Sequence, residues 1–597
     1  MKLVSSDLLI LLVCFAGFLF AGFVLRSRMK TGREFLLAGR SLPAWICGVA
    51  FLAAGLGVTQ LTVLGGWGAR YGLQAARLWL IGAIPPMLFA GLFLMPLYYG
   101  SKARTVPEFL GMRFDGKTRV LNAWLFAAMT VVSSGIALYA MARILRALHI
   151  FDGLFRGWGW PVSWILPCSI VVPAAVVLVY VALGGLRGAI YNQAVQFLLV
   201  VAVFLPVVLL GLRAVGGWGG LVAALPMGFA HEWVGGAQGG WMGLGLGLVL
   251  GMSFWCADFR VIQMALAAKN LESARRVPLI AAGLALFVPL LLVLPGLVAI
   301  ALPTPRTTTV ERIEGGIISR TTTVVPAAVE AGTGLVPATA DPVSRQPIYA
   351  ANGQAQLDYE LATPNLLVRF LPTGLLGLGL AALLAGLMSG VAANATAFNS
   401  VVAYDILPTL RGRAGNDEAA LRVGRWATAG GILLAVGMAF AVTGLHSGME
   451  MLLPALAVVN APLFAVLLAG MFWKRATGHG AFAGLVVGGG AALLHHGLTL
   501  PVDAQAGLEG GWIAVRHSYP NGLVQGLWTA VAAFCMSLIV MVAVSLFTKV
   551  RAESELAGLV YGLTPKPARK KAAWWKRPEA LAAGVLLAAV VLSFLLA

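Results

Sequence analysis

Phe51-Leu-Ala-Ala-Gly55-Leu-Gly57-Val-Thr59-Gln60-Leu-Thr62 is an apolar run interrupted by two glycines and followed by small polar residues. Glycine beside hydroxyls and an amide lets a membrane helix break. The freed carbonyls can then hold a cation, and the new half-helix N-terminus can face a solute. The same composition returns at Gly243-Leu-Gly-Leu-Gly247-Leu-Val-Leu-Gly251-Met-Ser253-Phe254-Trp255. The two stretches lie five apolar spans apart and cross in opposite directions, as an inverted five-helix repeat requires. Helix breaks are therefore expected near Gly55–Gly57 and near Gly247–Gly251.

Composition supports a membrane setting for these breaks. The 597 residues are 59% hydrophobic and 11% charged, with a mean hydropathy of +0.88, against about 25% charged in ordinary soluble chains. Apolar runs of roughly 20 residues, the length that crosses a bilayer, recur fourteen times between Leu8 and the C-terminus. The fold class expected is an all-α polytopic membrane protein of about 14 transmembrane helices. The first run, Leu8 to Leu25, is long enough to span and lacks a small-residue cleavage site, so it reads as a retained helix.

A net charge of +19 invites a nucleic-acid reading. Loop charge argues for the lipid bilayer as the partner instead. With the loop after the first span placed inside, cytoplasmic segments hold 29 of the 42 Lys and Arg, the asymmetry of a true topology. Both termini then lie outside, in a multi-pass protein of the cell (plasma or inner) membrane. The basic cluster Arg569, Lys570 and Lys571 reads as an anchor at an anionic leaflet. On the outer side, two β-branched runs flank Gly315-Gly316, a hairpin signal within the polar loop 303–362.

The spans exclude most chemistry. Asp258, Asp405 and Glu450 are the acids nearest a span, each at a helix end, which disfavours a carboxylate proton relay. No Ser/His/Asp set, HExxH or phosphate loop points to an enzyme. The five cysteines stand singly, and His495-His496 reads as an interfacial pair, so no metal framework is expected. What remains is neutral oxygen. In Ala385-Gly-Leu-Met-Ser389-Gly390-Val-Ala-Ala-Asn394-Ala-Thr396-Ala-Phe-Asn399-Ser400, the hydroxyls at 389, 396 and 400 share roughly one helical face. Such a face suits a desolvated Na+, and equally suits bonds to backbone or neighbouring helices.

At these residues the chain resembles the sodium:solute symporter family, in its sugar-transporter-like (sodium/glucose or sodium/galactose cotransporter) branch. The resemblance covers roughly residues 5–550. It rests on Phe35-Leu-Leu-Ala-Gly-Arg-Ser-Leu-Pro43, Gly66-Trp-Gly-Ala-Arg-Tyr-Gly72, Leu183-Gly-Gly-Leu-Arg187, Gln263-Met-Ala-Leu-Ala-Ala-Lys-Asn270, the block at 385–400 and Gly470-Met-Phe-Trp-Lys-Arg475. It implies a leucine-transporter-like 5+5 inverted repeat. The first repeat would occupy 44–212 and the second 241–473, the latter carrying the outer insertion 303–362. An extra helix and loop, 1–43, would precede them, and helices 12–14 would fill 479–597. It also implies Na+ as a transported, coupling ion.

The family's ion site falls here on the carbonyls of Ala53, Leu56 and Gly386 and the hydroxyl of Ser389. A second serine of many relatives is Gly390, and an acid of the sixth span is Gln193. The solute site implied by the resemblance is Gln60, with Phe254 and Trp255 as an aromatic gate. Trp79 stands where relatives carry a sugar-binding Glu, Gly251 where they carry an Asn, and Ala285 where they carry a Lys. The expected activity is Na+-coupled symport of a small neutral solute, sugar or sugar-like, by alternating access, without enzyme chemistry. An uncoupled facilitator, or a non-transporting sensor on the same fold, is the alternative. A pocket between Gln60, Trp79, Phe254 and Trp255 suits a neutral ring, because no basic residue is expected there to pair a carboxylate.

Overall fold

The computed structural model describes residues 4–595 except 150, 227–228, 230–246, 305–307, 315–316, 324–326, 341–345, 350–352, 412–416, 444–447, 503, 505 and 565–576; at 58–60, 308–314, 317–323 and 448–452 it describes the backbone alone. The longer helices are α1 (Ser5–Leu25), α2 (Ala44–Gly55), α3 (Val58–Tyr71), α4 (Gln74–Phe89), α5 (Gly116–Ala147), α6 (Ile165–Ala214), α7 (Gly247–Met252), α8 (Phe259–Leu266), α9 (Leu271–Ala285), α10 (Leu294–Ala301), α11 (Leu376–Val401), α12 (Asp417–Ala441), α13 (Gly448–Phe472), α14 (Gly478–Leu498), α15 (Gly522–Phe547) and α16 (Pro578–Leu595).

Among the described residues, ten helices are long and apolar enough to cross a membrane, or twelve if each of two bent pairs is one span. That is fewer than the fourteen expected, for two physical reasons. First, the 50 residues of α6 are two helical segments that meet at a kink, each about long enough to cross a hydrocarbon layer of about 30 Å. The kink is at Gly185, whose φ of 54° and ψ of −154° are not helical, so two expected crossings are counted there as one. Second, α2 and α3 have 12 and 14 residues, each too short to cross alone.

The hairpin forms as expected. Strand β1 (Thr308–Glu314) pairs antiparallel with β2 (Ile317–Thr323), and the last pair is Glu314 with Ile317. The glycines of its turn lie outside the described residues. The end of this insertion is fastened to α5, where Arg143 pairs with Glu360 and lies 3.7 Å from Asp358.

Helix α11 is the axis of the molecule. Of its most apolar stretch 89% is buried, and it packs on α1, α2, α3, α5, α6, α8 and α12. A helix apolar all round needs such surroundings. Its three hydroxyls at one face meet three different partners: Ser389 bonds the Ala53 carbonyl of α2, Thr396 accepts from Gln263 of α8, and Ser400 bonds the Leu36 carbonyl that precedes α2.

Candidate ion and solute site

The break expected near Gly55–Gly57 is present. Helix α2 ends at Gly55. Leu56 (φ −101°, ψ 59°) and Gly57 (φ −65°, ψ 177°) leave helical geometry, and α3 starts at Val58. The Leu56 amide still bonds the carbonyls of Leu52 and Ala53, at 3.0 and 3.2 Å, so the last turn of α2 is intact and its final carbonyls point off its end. Across from the break, Ser389 Oγ donates to the Ala53 carbonyl at 3.0 Å. A Cβ at Gly390 would lie 3.1 Å from Gly57 Cα. Two glycines thus let α11 approach the broken backbone closely.

All four residues of the expected ion site, Ala53, Leu56, Gly386 and Ser389, line one cavity at this seam. It has room for roughly one or two water-sized guests. Gln196 of α6 also lines it. Gln193 Nε2 donates to the Ser389 carbonyl at 3.2 Å, and its buried Oε1 has no hydrogen-bond partner. The available donors are neutral oxygens, the set that suits a hard monovalent ion at an unwound helix. An entering cation would draw the Ala53 carbonyl and Ser389 hydroxyl toward itself, replacing their mutual hydrogen bond. Gln193 and Gln196 stand three apart in an apolar span, the signal that marks this second wall in the sequence.

One turn beyond the cavity is an aromatic cluster. Trp255 is 3% exposed. It stacks on Phe51 at 5.8 Å and meets Trp79 and Phe254 edge-on at 6.2 and 4.9 Å. A side chain at Gly55 would run into the Trp255 ring, so the indole caps the end of α2. Trp79 Nε1 donates to the Ala285 carbonyl at 3.1 Å. The two positions where relatives were expected to hold Glu and Lys therefore touch each other through an uncharged bond. Gly251, the third altered position, would place a Cβ on the Gly82 carbonyl and serves close packing of α7 on α4. Of the four expected solute residues, the structure brings Trp79, Phe254 and Trp255 together; Gln60 lies on α3, and its side chain is outside the described residues.

Two expectations need correction. The second break is not at Gly247–Gly251: those residues are helical in α7, with Gly251 against α4. After a wider turn at Ser253–Ala257, the chain bends by 47° at Asp258. Asp258 is extended (ψ 114°) and caps α8 by accepting from the Arg260 amide at 2.9 Å, satisfying a helix-start donor at the break. Nor is the region without a basic residue. Arg260 is 8% exposed and chelates Asp258, which is 0% exposed. Its guanidinium carbon stands 5.3 Å from the centre of the Phe254 ring.

This ion pair is the centre of a polar chain that sequence reasoning missed. Asn460 of α13 donates to Asp258 Oδ2 at 3.0 Å, and Arg260 Nη1 donates to Asn394 Oδ1 at 3.2 Å. Asn394 in turn donates to Ser133 and Ser134 of α5, at 3.1 and 2.8 Å. Mutual neutralisation, with hydrogen bonds to the pair from Asn460 and Asn394, is what makes such burial tolerable. The signal in the sequence was an Asp-x-Arg step at the end of a Gly-rich span.

The chain is similar to known proteins. The chain is 26% identical over 480 residues to the sodium/glucose cotransporter of Vibrio parahaemolyticus, covering 77% of this chain and 79% of that one. It is 28% identical over 517 residues to sodium/myo-inositol cotransporter 2 of Oryctolagus cuniculus, covering 82% and 69%. Its fold matches the substrate-bound outward-open structure of a Na+-coupled sialic acid symporter with a TM-score of 0.67 at 15% identity, over 92% of this chain and 99% of that chain. The leucine-transporter-like architecture is thereby shown for this chain. Residues 35–488, which contain the broken α2–α3 hinge, the α11 seam and the aromatic cluster, match the sodium:solute symporter family. This chain belongs to that family of transporters, with Na+ as its coupling ion.

Proposed function

We propose that this symporter moves a small neutral polyhydroxy solute, a sugar or cyclic polyol, inward with Na+ across the plasma or inner membrane, its termini on the outer side. The observation that carries the reading is the seam itself: four oxygen-bearing positions from α2 and α11 surround one ion-sized cavity beside an aromatic cluster. Ion binding draws the α2–α3 break against α11. Solute then packs beside the adjoining indoles, whose faces accept ring carbons while amides meet hydroxyls. Trp79, Phe254 and Trp255, together with Gln60, are the proposed solute contacts; Ala53, Leu56, Gly386 and Ser389 are the proposed ion ligands. Coupling follows when the doubly occupied form is the one that turns inward. The proposed repeats are 44–212 and 241–473, with 1–43 and 479–597 outside them and 303–362 inserted in the second.

Arg260 supports a different solute, one bearing a carboxylate, because its guanidinium stands beside Phe254. Its charge is already met by Asp258, which favours the neutral solute.

Proteoliposome uptake of sugars, polyols and carboxylates, with and without a Na+ gradient, tests the reading. Accumulation of a neutral member only with the gradient is expected. Ser389→Ala should raise the Na+ concentration for half-maximal uptake about tenfold, the equivalent of about 1–2 kcal/mol for one bond to a charged group. Gradient-independent equilibration would establish a facilitator, and binding without flux a sensor.

A further inference from the structure

At the far end of α11 from the outer loop, three loops meet around a second cavity. Its volume is about 1750 Å³, including its open mouth. Six cations line it: Arg33 and Arg40 before α2, Lys102 and Arg104 between α4 and α5, Arg119 of α5, and Arg411 after α11. All belong to segments that loop charge assigns to the cytoplasm. Positive-inside topology needs such residues near the membrane, but does not need them to converge. Convergence raises their mutual repulsion, so an occupant of opposite charge is the natural complement.

Three acids are present and engaged. Glu108 accepts from Arg104 Nε at 3.0 Å, Asp405 accepts from Arg119 at 2.7 Å, and Asp417 accepts from the main-chain amide of Arg33 at 3.1 Å. No acid pairs with the side chains of Arg33, Arg40, Lys102 or Arg411 among the described residues. Arg40 is the most telling. It donates to the Ala103 carbonyl at 2.6 Å, yet its Nε–H is buried without an acceptor. Burial pulls this guanidinium below its ordinary range, and a nearby anion would reverse that. Arg40 and Lys102 are also two of only four described non-glycine residues with left-handed backbone, at φ 49° and 63°. Such strain concentrates where side chains are held for binding.

We propose that this cavity binds a phosphate-bearing anion, either the headgroup of an anionic lipid or a soluble polyphosphate. Forked guanidiniums and a mobile ammonium suit phosphate oxygens, and basic pockets on this side of membrane helices meet anionic headgroups. Because the cations come from separate loops, the anion would cross-link the mouth of the protein. Its placement on the cytoplasmic side rests on the topology proposed above; the binding itself does not.

The test uses the full-length protein. In detergent, potassium pyrophosphate is titrated at constant ionic strength against potassium chloride, following the thermal midpoint. In parallel, the protein is reconstituted in phosphatidylcholine with or without one-fifth phosphatidylglycerol, and retained lipid is counted by native mass spectrometry. The K102Q/R411Q double variant alters two exposed side chains, so folding is preserved. Pyrophosphate binding at least tenfold weaker in this variant, without preferential lipid retention, assigns a soluble ligand. Phosphatidylglycerol retained by the native protein, displaced by pyrophosphate and lost in the variant, assigns a headgroup. No preference for pyrophosphate over chloride together with no retained lipid, or equal binding by the variant, overturns the proposal. None of these readouts depends on transport, so failure here is distinguishable from failure of the symport reading.

Discussion

Gly390 carries two opposed demands. At this position a serine would bring a hydroxyl toward the proposed ion site, but its Cβ would lie 3.1 Å from Gly57 Cα, tighter than side-chain contacts normally are. The two effects separate by substitution. Gly390→Ala adds the wedge alone, and should lower both thermal stability and Na+ affinity by forcing the α2–α3 break away from α11. Gly390→Ser adds the same wedge with an oxygen, and should bind Na+ about tenfold more tightly than the alanine variant, by about 1–2 kcal/mol. Titrating Na+ protection against heat measures the difference. Equal affinities in the two variants would mean that residue 390 does not reach the ion. The same reasoning explains how this site could be partly legible beforehand. The Gly-flanked break is written in the local sequence and the carbonyls at 53 and 56 are what the family resemblance implies, whereas the apposition of Gly57 and Gly390 is a contact between distant residues that no local pattern reveals.

Helices here are broken by two different devices, and only one is written locally. At 55–57 glycines flank the break and the residues themselves announce it. At Asp258 the break follows a widened helical turn and is stabilised by a carboxylate capping the next helix and chelating Arg260. The glycines before it, at 247 and 251, are compatible with a break but serve packing instead. Composition alone does not choose between those roles, because both need the same missing side chain. The third interruption, inside α6, is the most demanding of glycine. Gly185 has φ 54° and ψ −154°, and a Cβ would lie 2.5 Å from the Phe35 carbonyl. Gly185→Ala should therefore cost about 1–3 kcal/mol in backbone strain alone, with further cost from that contact. Gly188→Ala, whose nearest neighbour is the Tyr180 carbonyl at 3.5 Å, is the tolerant control. The fraction remaining monodisperse after heating should fall for the first variant and not for the second. Equal behaviour would place the turn between the two crossings elsewhere. The apolar runs are legible because hydropathy reports stretches long enough to cross; the turn at Gly185 between two of them is a single backbone conformation, which hydropathy does not report.

Across the whole molecule, α11 is joined to the broken helices at more than one level. Ser389 meets Ala53 at the proposed ion cavity. Farther along, Gln263 Nε2 of α8 approaches the Ala393 carbonyl at 3.0 Å and Thr396 Oγ1 at 3.1 Å, and Arg260 reaches Asn394. Transport by alternating access requires this seam to part on one side while it closes on the other. Ion binding and the Gln263 bonds would then favour the same closed arrangement from separate places. Gln263→Ala removes a tie without removing any proposed ion ligand, so it should act by lowering the share of molecules competent to bind. Apparent affinity falls in proportion to that share, and a second ligand selecting the same state restores it. The expected result is a several-fold higher Na+ requirement in Gln263→Ala when solute is absent, returning to the native value at saturating solute. Ser389→Ala weakens the ion site itself, so its Na+ requirement should stay high relative to the native protein at saturating solute. Equilibrium Na+ binding to the purified protein, measured with and without solute, distinguishes the two. If saturating solute restores both variants equally, or neither, then Gln263 is not a separate tie and the seam closes only through the ion cavity.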